Sequence, residues 1–324
     1  MENIKNLLEV KNLKKYFPVK RKKIREKKRY VKAVDGVSFA IKEGETLGLV
    51  GESGCGKSTA GQALIRLIEP TSGEIIFNDK NITYGKKILK DLVRKEMQII
   101  FQDPYSTLNP RKKIGWTLRE PLVINKVGSL KEQDKKIDEM LDVVGFDTTY
   151  KKRYPHELSG GQRQRVGIAR ALMLNPQFIV ADEPVSALDV SVQSQVLNLM
   201  KDLQTKFDLT YLFISHDLNV VEYLSDRVAV MYLGKIIEIA DVEEIYRKPL
   251  HPYTQSLLSS IPSTKIDNDK ERIILEGDVP SPLNPPSGCP FHPRCPQAMD
   301  ICSKGEPMYR EIAKGHKVSC HLYK

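Results

Sequence analysis

Nine residues, Gly51 to Thr59, constrain the fold of this 324-residue chain more than any other feature. They read Gly-Glu-Ser-Gly-Cys-Gly-Lys-Ser-Thr and fit the pattern GxxxxGK(S/T). The apolar run Thr46 to Val50 precedes them, and a helical pattern through Ala63 and Leu67 follows. In a strand–loop–helix unit of this kind, the glycines of the loop let successive backbone N–H groups face an anion. The N-terminus of the helix adds partial positive charge. The sequence therefore predicts a phosphate-binding loop between a strand and a helix.

Side chains in this loop have separate expected roles. Lys57 is expected to reach the β- and γ-phosphate oxygens of a nucleotide, and Ser58 supplies a hard oxygen ligand for Mg²⁺. Cys55 is interpreted as a small filler. The loop residues expected to contact the nucleotide are Gly51, Ser53, Gly54, Cys55, Gly56, Lys57, Ser58 and Thr59.

An acidic pair follows another apolar run. Asp182 and Glu183 come directly after Phe178–Ala181, at the carboxyl end of a predicted strand, which is where α/β sheets place their ligands. Asp182 is expected to lie in the Mg²⁺ shell. Glu183 is expected to polarise a water molecule for attack on the γ-phosphate. The pair fits a Walker B pattern.

The first 250 residues alternate apolar β-rich runs with helical patterns, which favours an α/β sheet protein. The runs at 46–50, 99–101, 178–181 and 210–214 are typical of buried strands. Between Asp189 and Asp208, apolar residues recur at spacings of three and four, which predicts a helix packed on the sheet. These residues are Val192, Val196, Leu199, Leu203 and Phe207.

Two segments depart from this alternation. The stretch from Gly115 to Tyr154 has a helical pattern around Ile137 and no convincing strand, so we expect a helical insertion at about 103–160. From Pro249 onward the chain holds eleven of its nineteen prolines, a density that blocks regular helix and sheet. The sequence predicts a nucleotide-binding domain over 1–250 and a loop-rich tail over 251–324.

The positive charge is concentrated in one run. Lys20 to Lys32 holds nine Lys or Arg and one Glu, and therefore carries +8 of the formal net charge of +10. We interpret the run as a solvated loop or hairpin tip, with binding to anionic lipid or nucleic acid as the alternative. No apolar run is long enough to span a bilayer, and the first residues lack the apolar core of a signal peptide. Any membrane role is expected to come through partner chains.

The segment Leu158-Ser-Gly-Gly-Gln162 lies between the phosphate loop and the acidic pair. It resembles the signature motif of the ATP-binding cassette (ABC) ATPases. The resemblance implies an α/β P-loop core with a mixed sheet and an antiparallel β subdomain, and hydrolysis of ATP with Mg²⁺ as cofactor. Motifs similar to those of the family appear in its order: Gly51–Thr59, Gln102, Leu158–Gln162, Asp182–Glu183, Ser186–Asp189 and His216.

The resemblance implies that the signature motif acts on a second subunit. Ser159, Gly160, Gly161 and Gln162 would open a helix and present hydroxyl and N–H donors to the γ-phosphate bound by the opposite subunit. One chain then holds two half-sites that cannot meet within it. Two cassettes are therefore expected to clamp two ATP molecules head to tail.

The resemblance implies further roles for single residues. Gln102 would contact Mg²⁺ or the attacking water, and His216 would contact the γ-phosphate, so both join Glu183 as catalytic residues. Asp189 would lie in the loop that signals across the dimer. Tyr16 lies where the family places an aromatic ring on adenine, with Phe17 as the alternative.

The chain beyond the cassette is similar to the tail of bacterial dipeptide and oligopeptide import ATPases. The matching segments are His251–Thr254, Gly277–Pro282 and Gly288–Pro296. The resemblance implies a peripheral protein at the cytoplasmic face of the membrane. Its expected partners are a second cassette, a paralogue or a copy of itself, two permease subunits and an extracytoplasmic peptide-binding protein. Alternatives are import of another solute such as nickel complexes, or a soluble ABC ATPase acting on nucleic acid.

Four of the five cysteines fall in the last 36 residues: Cys289, Cys295, Cys302 and Cys320. Four thiolates suit either Zn²⁺ or an iron–sulfur cluster. A reducing cytoplasm disfavours disulfides. The family resemblance favours a [4Fe–4S] cluster, with zinc or unliganded thiols as alternatives. Substitute ligands would be His292, His316 and His321, and the role of the site is structural, redox-sensing or regulatory.

Overall fold

The computed structural model describes residues 5–20, 28–84, 87–261 and 273–323. Most of the basic run, residues 21–27, lies outside the described residues. The strands are β1 (Asn6–Pro18), β2 (Tyr30–Lys42), β3 (Thr46–Val50), β4 (Ser72–Phe77), β5 (Lys80–Asn81), β6 (Met97–Ile100), β7 (Phe178–Asp182), β8 (Thr210–Ile214), β9 (Arg227–Tyr232), β10 (Lys235–Asp241), β11 (Tyr309–Ala313) and β12 (His316–Ser319). The α-helices are α1 (Lys57–Leu64), α2 (Lys87–Glu96), α3 (Pro104–Thr107), α4 (Ile114–Ile124), α5 (Leu130–Val143), α6 (Gly160–Leu172), α7 (Val190–Phe207), α8 (Leu218–Leu224), α9 (Val242–Arg247), α10 (Pro252–Ser259) and α11 (Asp300–Lys304).

The chain divides into two compact units. Unit one comprises Met1–Lys5, Lys42–Glu45 and Tyr84–Phe213. Unit two comprises Asn6–Ile41, Thr46–Thr83 and Ile214–Lys324.

Unit one is built around β8, β7 and β6, which neighbour one another in that order. Strands β6 and β7 are parallel, with Met97 opposite Phe178 and Ile100 opposite Ala181. Every residue of β7 is buried, as expected for a continuous apolar run in a parallel sheet. The strand predicted at 99–101 is found at Met97–Ile100, so it begins two residues earlier and ends one residue earlier than predicted. Helix α7 confirms the helix predicted between Asp189 and Asp208.

Helices fill the rest of unit one between β6 and β7. The Asp103 carboxylate accepts the Tyr105 N–H and begins α3. Helix α5 begins with a capping box, in which Ser129 and Glu132 each satisfy a backbone N–H of the other. Ile137 is fully buried on α5, as the helical pattern predicted.

Unit two contains a four-stranded sheet in the order β2-β1-β4-β5. Strands β1 and β4 are antiparallel, with Leu8 opposite Phe77. A second set of strands follows the order β11-β12-β10-β9-β3. In it, β3 runs parallel to β9, and β9 and β10 form an antiparallel hairpin. Strand β3 is the strand predicted to lead into the phosphate loop.

The tail contains more regular structure than the sequence predicted. Strands β11 and β12 form an antiparallel pair, and β12 adds to β10 with Ile239 opposite Lys317. The expectation of a tail without helix or sheet was wrong. Helices α10 and α11 form in it. The strands form because the last proline is Pro307, and the residues after it are free to pair through their N–H groups.

A buried carboxylate ties the tail to the rest of unit two. Glu238 on β10 has no exposed surface. It accepts the backbone N–H groups of Leu250 (2.7 Å) and His251 (2.9 Å), and its Oε1 lies 2.8 Å from His316 Nε2 on β12. A buried carboxylate needs this number of partners to offset its desolvation. Glu238 therefore joins the hairpin, the segment before α10 and the last strand.

Candidate nucleotide-binding site

The phosphate loop in unit two has the backbone that its glycines predicted. Gly56 has φ +108° and precedes the first turn of α1. A Cβ on Gly56 would come within 2.0 Å of the Ala33 carbonyl oxygen, and a Cβ on Gly51 within 2.2 Å of the Met231 carbonyl oxygen. No side chain fits at either position, so the backbone can approach a ligand closely.

Lys57 is buried in this loop and points back along it. Its Nζ donates to the Gly51 carbonyl (2.7 Å) and the Glu52 carbonyl (3.2 Å). These neutral acceptors hold the ammonium group at the loop. When a nucleotide binds, the ammonium group can exchange these hydrogen bonds for hydrogen bonds to phosphate oxygens. Ser58 and Thr59 follow in the first turn of α1, with the helix N-terminus behind the loop.

The acidic pair in unit one lies at the end of β7. Asp182 is the last residue of the strand and is buried. Glu183 has a left-handed backbone, φ +48°, which is rare for a non-glycine residue and marks a constrained position. Gln102 follows β6, and its Nε2 donates to Glu183 Oε2 over 3.0 Å. The structure therefore brings together two of the three predicted catalytic residues.

The signature segment forms the predicted helix N-terminus at α6. The Ser159 hydroxyl accepts the Gln162 N–H (3.3 Å), and the Gln162 side-chain oxygen accepts the Ser159 N–H (3.0 Å). A Cβ on Gly161 would lie 2.2 Å from Val192 Cγ1 of α7, so glycine is needed there. Asp189 stands at the N-cap of α7, where its carbonyl accepts the Val192 N–H.

Two further predicted residues lie in unit two. His216 is exposed and lies two residues after the end of β8. Tyr16 donates its hydroxyl to the Asp35 carboxylate, and Lys32 Nζ lies 5.8 Å from the centre of its ring. Burial and the Asp35 carboxylate both raise the pKa of Tyr16 above its ordinary value. The alternative, Phe17, has Lys15 Nζ at 4.9 Å from its ring centre.

The four tail cysteines share one neighbourhood in unit two. The Cys289 N–H donates to the Cys302 carbonyl over 2.8 Å. Burial raises the pKa of Cys289 to about 11, and the thiols of Cys302, Cys320 and Cys295 act in the same direction. Within residues 5–20, 28–84, 87–261 and 273–323, no group of three or more His, Cys, Asp or Glu side chains is arranged to hold a metal ion.

The three histidines expected as substitute ligands have protein partners. His292 Nδ1 lies 2.9 Å from the Cys289 carbonyl oxygen, and His321 Nε2 lies 2.9 Å from the Gly305 carbonyl oxygen. His316 contacts Glu238 as described above. Each ring already makes a hydrogen bond that metal ligation through that nitrogen would break.

Sequence reasoning missed contacts that reach the phosphate loop from the tail. The Glu52 carboxylate pairs with Arg294, and the Glu52 N–H donates to the Tyr253 hydroxyl. Tyr253 belongs to the segment His251–Thr254, which the family resemblance had singled out without a role. Arg294 lies in the matching segment Gly288–Pro296, but that resemblance assigned it no role, and its partner is 242 residues away.

The phosphate loop, the Gln102–Glu183 pair at a strand end and the capped helix at Ser159 define an ATP-hydrolysing protein of the P-loop class. The ABC transporter profile matches residues 34–186, and the profile of the oligopeptide/dipeptide transporter C-terminal region matches residues 237–302. The chain belongs to the ABC transporter family, as an ATP-binding subunit with that C-terminal region.

Full-length relatives support this assignment. The chain is 55% identical to the oligopeptide transport ATP-binding protein AppF of Bacillus subtilis, over 99% of this chain and 98% of the relative. It is 52% identical to the dipeptide transport ATP-binding protein DppF of Haemophilus influenzae, over 97% and 96% of the two chains.

Solved structures share the cassette fold. A dimeric post-hydrolysis structure of the ATP-binding cassette MJ0796 with ADP and Pi aligns with a TM-score of 0.63 at 30% identity, over 72% of this chain and 98% of that chain. A cbiO1 structure from Clostridium perfringens aligns with a TM-score of 0.64 at 28% identity, over 75% and 91% of the two chains.

Proposed function

We propose that this chain hydrolyses ATP to power the import of dipeptides or oligopeptides through a membrane transporter. The hydrogen bond between Gln102 and Glu183 carries the catalytic part of the proposal, because it places a carboxylate and its orienting amide at the end of β7. The peptide substrate is supported by the full-length relatives, whose names state oligopeptide or dipeptide transport.

The proposed reaction transfers the γ-phosphoryl group to water. The water oxygen bonds to the γ-phosphorus, the bond to the β–γ bridging oxygen breaks, and ADP and phosphate leave. Glu183 accepts the proton of the attacking water, and Gln102 orients it. Lys57 and His216 hold the γ-phosphate oxygens. Mg²⁺, when bound, would neutralise charge on the phosphates, and Ser58, Gln102 and Asp182 are the residues that would hold it.

The second half of each site is proposed to come from another cassette. Ser159 to Gln162 present a capped helix N-terminus, whose N–H groups suit an anion. Asp189 would signal between the cassettes, and Tyr16 would stack on adenine. We propose a paralogous cassette as the partner, with two permease subunits in the membrane and an extracytoplasmic peptide-binding protein.

The chain is proposed to work at the cytoplasmic face of the membrane as a peripheral subunit. In the part of the chain that the structure describes, no helix is long and apolar enough to cross a membrane. We propose that the permease subunits attach it to the membrane.

Reconstitution tests the proposal. The chain, a partner cassette, the permeases and the binding protein are placed in proteoliposomes, and ATP hydrolysis is measured with and without peptide. Peptide-stimulated hydrolysis with uptake of labelled peptide is expected. Stimulation by a nickel complex and not by peptide would reassign the substrate. Salt-dependent DNA binding with no transport would favour the nucleic-acid alternative.

We propose further that Cys289, Cys295, Cys302 and Cys320 hold a [4Fe–4S] cluster, with Zn²⁺ as the alternative. Support comes from the chemistry of four thiols in one region of unit two. Ligation would require the thiols to deprotonate and to move together from their present arrangement. Metal analysis of anaerobically purified protein tests it. About four iron and four sulfide per chain are expected, one zinc and no colour would indicate zinc, and neither metal would leave ordinary thiols.

A further inference from the structure

The Glu52 carboxylate in the phosphate loop is held by a residue of the tail. Arg294 Nη1 donates to Glu52 Oε2 over 2.8 Å, and Arg294 Nη2 donates to Glu52 Oε1 over 3.1 Å. The Arg294 side chain is 8% exposed and the Glu52 side chain 26% exposed. A two-bond pair with this degree of burial fixes the orientation of both groups, which a surface ion pair does not do.

A second group from the same unit holds the backbone of Glu52. The Tyr253 hydroxyl accepts the Glu52 N–H over 2.8 Å. Tyr253 is fully buried, and its ring packs against Tyr232 (4.7 Å between centres) and Phe291 (5.3 Å). Phe291 belongs to the tail segment that carries Arg294. The two groups that hold Glu52 are therefore fixed by one aromatic cluster.

The backbone carbonyl of Glu52 faces Lys57, the lysine expected to bind phosphate. The Glu52 carbonyl accepts Lys57 Nζ over 3.2 Å and the Cys55 N–H over 3.3 Å. Glu52 thus makes three connections. Its side chain contacts the tail, its N–H contacts the aromatic cluster, and its carbonyl contacts the interior of the loop. Movement of Glu52 would change the position of Lys57 and of the loop N–H groups together.

The pairing also has an electrostatic consequence. Glu52 places a carboxylate in a loop that must bind the polyanionic phosphates of ATP. Glu52 and the Tyr232 hydroxyl beside it raise the pKa of Arg294, which stays cationic. The cation compensates the carboxylate, so phosphates approach a loop whose acidic side chain is already neutralised.

The segment that carries Arg294 is itself well supported. Arg294 ends a turn of 3-10 helix, His292–Arg294, and its N–H donates to the Phe291 carbonyl over 3.0 Å. The tail beyond it is fixed by the pairing of β12 with β10. Arg294 can therefore act as a rigid support and not as a free surface arginine.

We propose that Arg294 is a positioning residue for the ATP phosphates. It holds Glu52, and through Glu52 the phosphate loop, in the conformation that binds nucleotide. The cysteine-rich tail then contributes to nucleotide binding, because its residue Arg294 positions the phosphate loop. Preorganisation of this kind raises affinity by removing the cost of ordering the loop during binding.

The test compares variants of the full-length chain in binding of a fluorescent ATP analogue with Mg²⁺. R294Q should raise the Kd about tenfold, because it leaves the Glu52 carboxylate uncompensated and the loop unsupported. R294K should give a smaller rise, since a lysine cannot pair with both oxygens. E52Q should raise the Kd about threefold, and the double variant R294Q/E52Q should bind no more weakly than R294Q.

The Lys235–Glu306 ion pair supplies a matched control. This pair joins β10 to the tail. K235Q should leave the Kd within about twofold of the wild type, and it should lower the thermal midpoint less than R294Q does, because the Lys235–Glu306 pair is more exposed. In steady-state hydrolysis, R294Q should raise KM more than it lowers kcat.

Three results would overturn the proposal. If R294Q lowers the thermal midpoint but binds nucleotide with the Kd of the wild type, as K235Q is expected to do, Arg294 is a purely structural residue. Additive effects of R294Q and E52Q on Kd would show that the pair does not act as a unit. If R294Q does not fold, the Kd of E52Q tests the proposal instead. An unchanged Kd in E52Q would show that Glu52 does not position the loop.

Discussion

Gln102 Nε2 donates to Glu183 Oε2 over 3.0 Å, across 81 positions of sequence. The two residues follow adjacent parallel strands, β6 and β7, whose carboxyl ends meet at one edge of the sheet. Glu183 reaches this position with a left-handed backbone, φ +48°. Sheet geometry therefore presents a carboxylate together with a group that orients it, an arrangement suited to activating a water molecule.

Glu183→Gln is expected to lower kcat for ATP hydrolysis by about 10²- to 10⁴-fold, because the amide cannot accept the proton of the attacking water. The variant should still bind ATP and accumulate an ATP-bound dimer. Phosphate release and dimerisation by light scattering check this. Asp202→Asn, an exposed change on α7, is the control and should retain full activity. Turnover near the wild-type rate in Glu183→Gln would exclude Glu183 as the catalytic base.

Ser159→Ala removes the hydroxyl that caps α6 and is proposed to face the γ-phosphate of the partner. Loss of a cap lowers stability by about 1 kcal/mol. Ser129 occupies the same capping position on α5, so Ser129→Ala should lower stability by a similar amount. Hydrolysis should fall at least about tenfold in Ser159→Ala only. Equal activity of the two variants in a steady-state assay would restrict Ser159 to capping.

Local sequence patterns predicted the parts of the molecule that depend on neighbours in the chain. The continuous apolar run at 178–181 became the buried strand β7, and the spacing of Val196 and Leu203 matched the buried face of α7. The glycines of the phosphate loop required left-handed backbone, and Gly51, Gly54 and Gly56 adopt it. Such features follow from periodicity and from the conformational range of glycine.

Contacts between distant segments could not be predicted in this way. Nothing in the local sequence of Arg294 indicates Glu52 as its partner, and nothing around Glu238 indicates His316. Proline density predicted a tail without regular helix or sheet, but α10 and α11 form before Pro307, and β11 and β12 follow this last proline. Strand pairing at that point depends on an available edge at β10, which is a property of the folded unit.

Gly56→Ala should abolish nucleotide binding. Its Cβ would lie 2.0 Å from the Ala33 carbonyl oxygen, so the loop or β2 would have to move. Gly44→Ala is the matched control, because Gly44 also has positive φ (+73°) but nothing within 4 Å of an added Cβ. It should lower stability by about 1 kcal/mol and leave binding unchanged. Titration with a fluorescent ATP analogue measures both, and normal binding by Gly56→Ala would show that the loop tolerates the displacement.

His251 should make the protein less stable in mild acid. Burial lowers its pKa to about 4, against the opposing effect of Glu238, and its Nδ1 accepts the Tyr253 N–H over 3.0 Å. Above pH 6.5 the ring is neutral in both the folded and the unfolded chain, so its contribution to stability is fully present. Below pH 6.5 the unfolded chain takes up a proton that the folded chain takes up only near pH 4. The free energy of unfolding should therefore fall by about 2 kcal/mol between pH 7 and pH 5 from this residue.

His251→Asn tests this effect, because asparagine can cap α10 but does not titrate in that range. Urea unfolding of the wild type and the variant at pH 7 and pH 5 measures the difference. The variant should be less stable at pH 7, since a buried ring is lost, but its stability should decline less on acidification. An equal decline in the two proteins would show that His251 is not the group whose protonation opposes folding.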